Sequence, residues 1–128
     1  MTAEKEISII FNADVLAESQ FGEITFRLFS NRIYYVHVPK LQKIGLSVIY
    51  VGIQFLEDNC GGKFFNIFHF DSFSDVDPEA WAWTSDSNGN KYTICDAIVI
   101  GSLSQKIMFD FYLRFNKPTK PTKIFYSL

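Results

Sequence analysis

The residues best suited to chemistry are two pairs of serines, each placed after an apolar run of the sequence: Ser72 and Ser74, and Ser102 and Ser104. A serine at a helix N-terminus can bind an anion such as phosphate, because free backbone N–H groups and the helix dipole favour negative charge there. The same hydroxyls can instead be turn residues or helix N-caps that bond their own backbone. Asp75 and Asp77 would repel a phosphate added to the first pair. The four serines are therefore a candidate phosphate- or anion-binding loop, with capping as the alternative.

A second candidate site lies in the run Lys63–Phe70, which contains Asn66 and His69 among phenylalanines. A buried amide must find hydrogen-bond partners, and a histidine among aromatic residues can be a hydrogen-bonded structural residue. If both side chains point into one cavity, they can line a ligand pocket. The excess of phenylalanine over Phe64–Phe73 indicates that such a ligand would be small and apolar.

The sequence carries no assembled signature of an enzyme or a metal protein. It has no G-x-S-x-G nucleophile elbow, and the Gly-Ser-Leu-Ser stretch that begins at Gly101 lacks the second glycine and the lysine of a P-loop. Cys60 and Cys95 form neither a C-x-x-C pair nor a Cys/His cluster, which favours free thiols. We therefore expect a protein that is not an enzyme and that needs no metal and no cofactor.

Length and composition predict one globular domain over residues 1–128, with residues 1–20 as an uncertain N-terminal extension. The 128 residues are 48% hydrophobic and include 14 phenylalanines, which is enough for a single core. The net charge of −2 and the scattered Lys and Arg residues argue against nucleic-acid binding. No apolar run is long enough to span a bilayer, and no signal-peptide pattern opens the chain. We expect a cytoplasmic protein whose partner is a protein, a second copy of itself or a small apolar ligand.

Hydrophobic periodicity predicts a mixed α/β sheet. Alternating residues predict an antiparallel hairpin of Glu23–Phe29 and Arg32–Val38, whereas Asn12–Gln20 shows no clear pattern. Parallel strand–helix units follow, with the usual right-handed crossover. Lys63–Phe70 is apolar on both faces, which predicts a central strand in a sheet with helices on both faces. The other predicted elements are Leu41–Asn59, Pro78–Ser85, Ala97–Gly101, Gln105–Phe115 and Thr122–Leu128.

The last predicted helix has an apolar face at helical spacing, formed by Leu103, Ile107, Phe111 and Phe115. We expect this face to point toward the core of the domain. The predicted core residues are Phe64, Phe68, Ile98, Ile100, Ile124, Val48, Phe55, Ile107 and Phe111.

Trp81 is a candidate interface residue. It lies two positions before Trp83 in the helix that Asp77 begins, so the two side chains are about 200° apart around the helix axis. We expect Ala80 and Trp83 to face inward, which leaves the Trp81 indole exposed. The alternative is that Trp81 lies flat on a neighbouring loop such as Asp86–Asn90.

The predicted order of elements resembles the STAS-like (SpoIIAA-like) fold, which occurs in anti-sigma-factor antagonists and in related small bacterial proteins of unknown function. The similarity is greater to the small proteins and covers residues 20–128. It is carried by three stretches: Asp77–Ala80, the Ala97–Gly101 strand with its serine-rich helix start, and Phe111–Phe125 with its Asn-Lys-Pro and Pro-Thr-Lys-Ile-Phe segments.

The resemblance implies a non-enzymatic regulatory or protein-interaction module of a bacterial cytoplasm. In the antagonists a regulatory serine follows the central strand, and the corresponding stretch here is Asp71–Asp75, which lacks the second serine and the glycine of that motif. The small proteins usually carry one more helix after the final strand. Because the sequence stops at Leu128, the resemblance implies that this helix is missing or that the chain is a truncated form. The alternative function is a carrier or sensor of a small apolar, lipid-like ligand.

Overall fold

The computed structural model describes residues 10–59, 62–85 and 91–126. Its strands form a six-stranded sheet in the order β1-β2-β3-β5-β7-β8 and a two-stranded parallel ladder of β4 and β6. The strands are β1 Val15–Phe21, β2 Ile24–Phe29, β3 Ile33–Val38, β4 Lys43–Ile44, β5 Phe64–Phe70, β6 Asp75–Val76, β7 Thr93–Val99 and β8 Thr122–Phe125. The helices are α1 Leu46–Asn59, α2 Pro78–Ser85 and α3 Leu103–Phe115.

The antiparallel part of the sheet contains β1, β2 and β3. The predicted hairpin is confirmed as β2 and β3, and the alternating residues Ile24, Phe26 and Leu28 are buried. The sequence pattern did not predict β1, which pairs with β2 at the edge of the sheet. It is an edge strand with exposed and half-buried side chains, so it lacks the strong apolar alternation of a core strand.

The remaining strands of the large sheet are parallel, and each pair of neighbours is connected through one helix. The mixed α/β fold class is thereby confirmed. From β3 to β8 the chain always moves in the same direction across the sheet, and right-handed crossovers therefore place α1, α2 and α3 on one face. On the other face the described helical residues are Ile10 and Phe11, and the Phe11 ring lies 5.5 Å from that of Tyr35. Helical residues were expected on both faces of the sheet. The structure has three helices on one face and only the described residues Ile10 and Phe11 on the other.

α1 begins five residues later than its apolar pattern predicts. Lys43 and Ile44 pair with Asp75 and Val76 instead of extending the helix. Leu41, the expected first helical residue, has a positive φ of 69° and an exposed side chain. A pairing with residues 32 positions away overrides the local helical periodicity here.

Most of the predicted core is confirmed. Phe64, Val48, Phe55, Ile98 and Ile100 are buried, and Phe68 and Ile124 are partly buried against the same cluster.

The orientation of α3 was predicted wrongly. Ile107 is 63% exposed and Phe111 is 55% exposed, whereas Phe109 and Gln105 are buried. The Phe109 ring packs 4.9 Å from the ring of Phe70 in the central strand. α3 has apolar side chains on two faces, and the contact with Phe70 selects the face that carries Phe109.

Candidate functional site

A cavity of about 110 Å³ lies between the sheet and the two helices α1 and α2. Its floor is formed by side chains of β3, β5 and β7, and its walls are mainly aromatic and branched aliphatic. The lining residues include Tyr34, Val36, Asn66 and Asp96 of the sheet and Ile49 and Gly52 of α1. A concave, mainly apolar space with a few polar groups is typical of a small-molecule site.

The polar end of the cavity is formed by Asn66, Thr93 and Asp96. Asn66 Nδ2 donates to Thr93 Oγ1 at 2.8 Å and to Asp96 Oδ1 at 3.0 Å. Asn66 is only 8% exposed, and its Oδ1 has no hydrogen-bond partner among the residues that the structure describes. A buried amide oxygen without a donor is costly, so Asn66 carries an unsatisfied acceptor among the residues that line the cavity.

A β-bulge brings this polar end together. Thr93 and Asp96 are three residues apart, and in a regular strand they would point to opposite faces of the sheet. The pairing of β5 with β7 shifts between Phe64 and Phe65, so Phe64 lies opposite Thr93 and Phe65 opposite Cys95. The extra residue turns Thr93 and Asp96 toward the same face.

Burial raises the pKa of Asp96 to about 6, because the surroundings disfavour its charged form, while the hydrogen bond from Asn66 acts in the opposite direction. Burial also raises the pKa of the Tyr34 hydroxyl, which is therefore neutral at pH 7. The polar end thus presents a neutral amide oxygen and a carboxylate that gains a proton in mildly acidic solution.

Gly52 on α1 makes room for Tyr34 at the cavity wall. A Cβ at position 52 would lie 2.6 Å from Tyr34 Oη and 3.3 Å from the ring of Phe26. Both partners are aromatic side chains packed in the core, so neither can move aside freely.

A family model described as "Domain of unknown function (DUF7793)" matches residues 27–128, which include both the cavity floor and its polar end. The chain belongs to this family. No curated protein and no solved structure matches the chain significantly. Within the described part of this DUF7793 domain, no helix is long and apolar enough to cross a membrane. The same residues contain no group of His, Cys, Asp and Glu side chains that could hold a metal ion.

His69 does not share the cavity with Asn66, so the prediction of a pocket lined by both residues is wrong. Residues three apart on a regular strand point to opposite faces, and His69 lies on the face away from the three helices. Its Nδ1 is 2.6 Å from Tyr35 Oη, and its ring is 5.3 Å from that of His37. Burial and the nearby His37 lower the pKa of His69. His37 Nε2 in turn lies 3.0 Å from Asp71 Oδ2.

The two serine loops meet at the carboxyl edge of the sheet, as the parallel strands dictate. Ser72 is half-buried, and its hydroxyl donates to the carbonyl oxygen of Gly101 at 3.1 Å. Ser74 is buried, and its hydroxyl donates to the carbonyl oxygen of Asp71. A buried hydroxyl that is already bonded to backbone is closed to phosphorylation in this conformation, and this observation removes Ser74 from the predicted loop.

The second serine pair shows a capping role. Ser102 is the N-cap of α3 and accepts a hydrogen bond from the backbone N–H of Gln105, while Ser104 is exposed on the first turn. Gln105 is buried and joins the two loops, since its Nε2 donates to the carbonyl oxygens of Asp71 and Ser74. Sequence reasoning missed Gln105 because a polar residue in a helix is ordinarily taken as solvent-facing.

Trp81 is buried, so the prediction of an exposed indole is wrong. Its Nε1 donates to the carbonyl oxygen of Tyr112 at 3.2 Å, and its ring lies 5.9 Å from that of Phe109. Trp83 is half-buried and makes an edge contact with Tyr50 at 5.4 Å. Ala80 faces inward as expected, but the buried face of α2 continues through Trp81 and Ser85 rather than through Trp83.

Four predicted features lie wholly or partly outside the described residues: residues 1–9 of the N-terminal extension, Cys60, the loop Asp86–Asn90 and the last two residues of the predicted strand Thr122–Leu128. Cys95 is a half-buried free thiol in β7. The polar residues beside Asn66 that the sequence did not suggest are Thr93 and Asp96. The sequence did contain one sign of this polar end. Asp96 lies two positions before Ile98, so both residues are on the same face of a strand that is otherwise largely apolar.

Proposed function

We propose that this domain is a non-enzymatic binding module that holds a compact, mainly apolar molecule with one hydrogen-bond donor in the cavity between the sheet and α1 and α2. The observation that carries the proposal is the buried Asn66 side chain, which lines the cavity and whose Oδ1 accepts no hydrogen bond from the described residues. An O–H or N–H group of the ligand would supply the missing donor, with the Asp96 carboxylate beside it as a second acceptor.

The cavity volume limits the size of the ligand. An apolar cavity of roughly 150 Å³ can hold benzene. At about 110 Å³, the cavity of this domain suits a small ring or a short branched group. A long acyl chain would need additional space, so we narrow the lipid-like ligand expected from the sequence to a compact one.

The arrangement of ionisable groups supports a binding role without chemistry. The described histidines, His37 and His69, lie across the sheet from the cavity, so neither can take a proton from a molecule held there. Asn66 donates a hydrogen bond to Asp96, and Thr93 Oγ1, which accepts from Asn66, is the only hydroxyl or thiol among the described residues that is hydrogen-bonded to either side chain.

The test compares pyrrole with furan, because the two five-membered rings are nearly equal in size and only pyrrole can donate a hydrogen bond. Titrations followed by two-dimensional amide NMR should show that pyrrole shifts signals of cavity residues and binds more tightly than furan. Asn66→Leu should abolish this preference. Phe65→Leu is the matched control, because Phe65 is the adjacent residue of β5 and points away from the cavity.

Ile49→Phe provides a second variant that leaves Asn66 in place. Ile49 is a half-buried wall residue, so its replacement by phenylalanine should fill the cavity and weaken the binding of both compounds. The proposal is wrong if neither compound shifts cavity signals in the wild-type protein, or if Asn66→Leu keeps the preference for pyrrole.

A second candidate function follows from the resemblance to the STAS-like fold, namely a regulatory module of the bacterial cytoplasm that acts through protein contacts. The observation that favours it is the row of exposed apolar side chains on α3. We propose that its first partner is a second copy of the chain. Sedimentation velocity should show a weight-average coefficient that rises with protein concentration, and a concentration-independent monomer would exclude this function for the isolated chain.

A further inference from the structure

Asp96 is a cavity carboxylate without a charged partner. Among the residues that the structure describes, it forms no ion pair, and the side chain that donates to its carboxylate is the neutral amide of Asn66. On the neighbouring strand β8, Thr122 lies opposite Asp96, so Lys123 points to the other face of the sheet. Carboxylates that are withdrawn from water are ordinarily paired with a cation, so a cation in the cavity would stabilise Asp96.

The rest of the cavity lining leaves Asp96 as its single charge. Among the described lining residues, it is the only one with a carboxyl, amino, guanidinium or imidazole group. The other titratable groups of the lining are the hydroxyls of Tyr34 and Tyr92. The Tyr34 hydroxyl is neutral at pH 7, and the Tyr92 hydroxyl donates to Glu57, which does not line the cavity. The described lining thus offers a negative charge to a ligand and no positive one.

A second acceptor lies within reach of the same ligand group. Asn66 Oδ1 is buried and accepts no hydrogen bond from the described residues. The oxygen and nitrogen of a carboxamide are about 2.3 Å apart, so the 3.0 Å bond from Asn66 Nδ2 places Asn66 Oδ1 at most about 5 Å from Asp96 Oδ1. Charge-assisted bonds from nitrogen to oxygen are about 2.8 Å long. One ammonium group, which has three N–H donors, can therefore bond both oxygens at once.

The apolar wall limits the body that the ammonium group can carry. The cavity of about 110 Å³ is lined on α1 by Ile49, Ile53 and other apolar residues. This space suits a branched or cyclic group of about four or five carbons. A carboxylate on the ligand would meet no positive group in the described lining and would be repelled by Asp96. The cavity therefore favours simple amines over free amino acids.

We propose that the cavity binds a compact primary amine in its ammonium form, whose N–H groups bond Asp96 and Asn66 while its branched or cyclic body lies against the apolar wall. The inference rests on the first proposed function, a small-molecule binding module, and specifies the charge class of its ligand.

The proposed site also makes binding depend on pH. Burial raises the pKa of Asp96 to about 6, so Asp96 becomes neutral in mildly acidic solution. An alkylamine has a pKa of about 10 and stays charged at every pH below 8. A proton on Asp96 and the ammonium group therefore compete, and amine binding should weaken as the pH falls below 6.

The first experiment compares isobutylamine with isobutanol, which have the same carbon skeleton and can both donate a hydrogen bond. At pH 7.5 only isobutylamine is charged. Amide NMR titrations should show that isobutylamine shifts signals of cavity residues and binds about tenfold more tightly, because hydrogen bonds between charged groups are stronger than neutral ones. Valine, which adds a carboxylate to the same skeleton, should bind more weakly than isobutylamine.

Asp96→Asn removes the charge and keeps the shape of the side chain. This variant should bind isobutanol like the wild type and should lose the preference for isobutylamine. Asp58→Asn is the matched control, because Asp58 is an exposed carboxylate of α1 that does not line the cavity. It should keep the preference. A thermal melt of each variant verifies that the fold persists.

The second experiment tests the same charge in the wild-type protein, without a substitution. The titrations are repeated at pH 4.5, where Asp96 is protonated and isobutylamine is still charged. The affinity for isobutylamine should fall about tenfold or more between pH 7.5 and pH 4.5, whereas the affinity for isobutanol should not fall. An affinity for isobutylamine that is equal at both pH values would overturn the inference.

The outcomes separate this inference from the function on which it rests. If pyrrole binds in the cavity but isobutylamine binds no more tightly than isobutanol, the ligand is not a cation, and the binding function remains. If Asp96→Asn keeps the full preference for isobutylamine, Asp96 does not select the charge, and the inference is wrong. If none of these compounds shifts cavity signals, both the inference and the binding function are wrong.

Discussion

Asn66 Nδ2 lies 3.0 Å from Asp96 Oδ1, and this hydrogen bond holds two buried polar side chains of neighbouring strands against an otherwise apolar cavity. The bond stabilises the charged form of Asp96, yet burial has the larger effect and raises the pKa to about 6. Protonation of Asp96 is therefore coupled to folding, and the protonated carboxyl group favours the folded state.

The free energy of unfolding should decrease as the pH rises from about 4 to about 6. In the unfolded chain Asp96 loses its proton near its ordinary pKa of 3.8, whereas in the folded chain it does so at about 6. Between these values the folded state binds more protons, so a rise in pH favours unfolding, by about 3 kcal/mol over the whole interval. Urea unfolding of wild type and Asp96→Asn at several pH values isolates this contribution. A wild-type minus variant difference that stays constant from pH 4 to pH 7 would contradict the assignment.

Gly52→Ala should destabilise the protein despite the better helix propensity of alanine. The new Cβ would lie 2.6 Å from Tyr34 Oη, and overpacking of this kind costs about 1–3 kcal/mol. Tyr34→Phe removes the clashing oxygen, so the loss caused by Gly52→Ala should be smaller in a chain that already carries Tyr34→Phe. A double-mutant cycle by urea unfolding measures the difference. Equal losses in both backgrounds would show that Gly52 has another role.

Trp81→Ala should lower stability by about 3–5 kcal/mol, since the indole is buried against Phe109 and Tyr112. Its self-association should match that of the wild type, because Trp81 is not on the surface. Trp83→Ala is the control and should cost less, because Trp83 is only half-buried. Chemical unfolding measures the loss of stability, and sedimentation velocity measures the self-association. A Trp81→Ala variant that is as stable as the wild type but associates more weakly would support the interface role predicted from the sequence.

The pKa of His69 should lie below 6.5 and should rise in His37→Gln. Burial is the larger cause of the lowered pKa and persists in the variant, whereas the repulsion from a charged His37 is removed. NMR titration of the imidazole signals measures both values. If His37→Gln leaves the titration of His69 unchanged, the two rings are not coupled electrostatically at their separation of 5.3 Å.

The chemistry of single residues and short-range periodicity determined several elements from the sequence alone. Alternation specified the β2–β3 hairpin, and the Asp77-Pro78 pair specified the start of α2. The parallel β7–α3–β8 unit follows from a buried strand, a serine N-cap and two prolines that end the helix. These features depend on neighbours within a few positions, so no knowledge of the rest of the chain is needed.

Only the tertiary structure decided which face of each element is covered. α3 and α2 both carry apolar residues around much of their circumference, so periodicity alone cannot distinguish the Phe109 face from the Ile107 face or Trp81 from Trp83. The contact of Phe109 with Phe70 and the bonds of Gln105 to two distant carbonyl oxygens orient α3. The polar end of the cavity likewise depends on the pairing of β5 with β7, which brings Asn66 and Asp96, 30 residues apart, within hydrogen-bond distance. The β-bulge in this pairing then turns Thr93 to the same face.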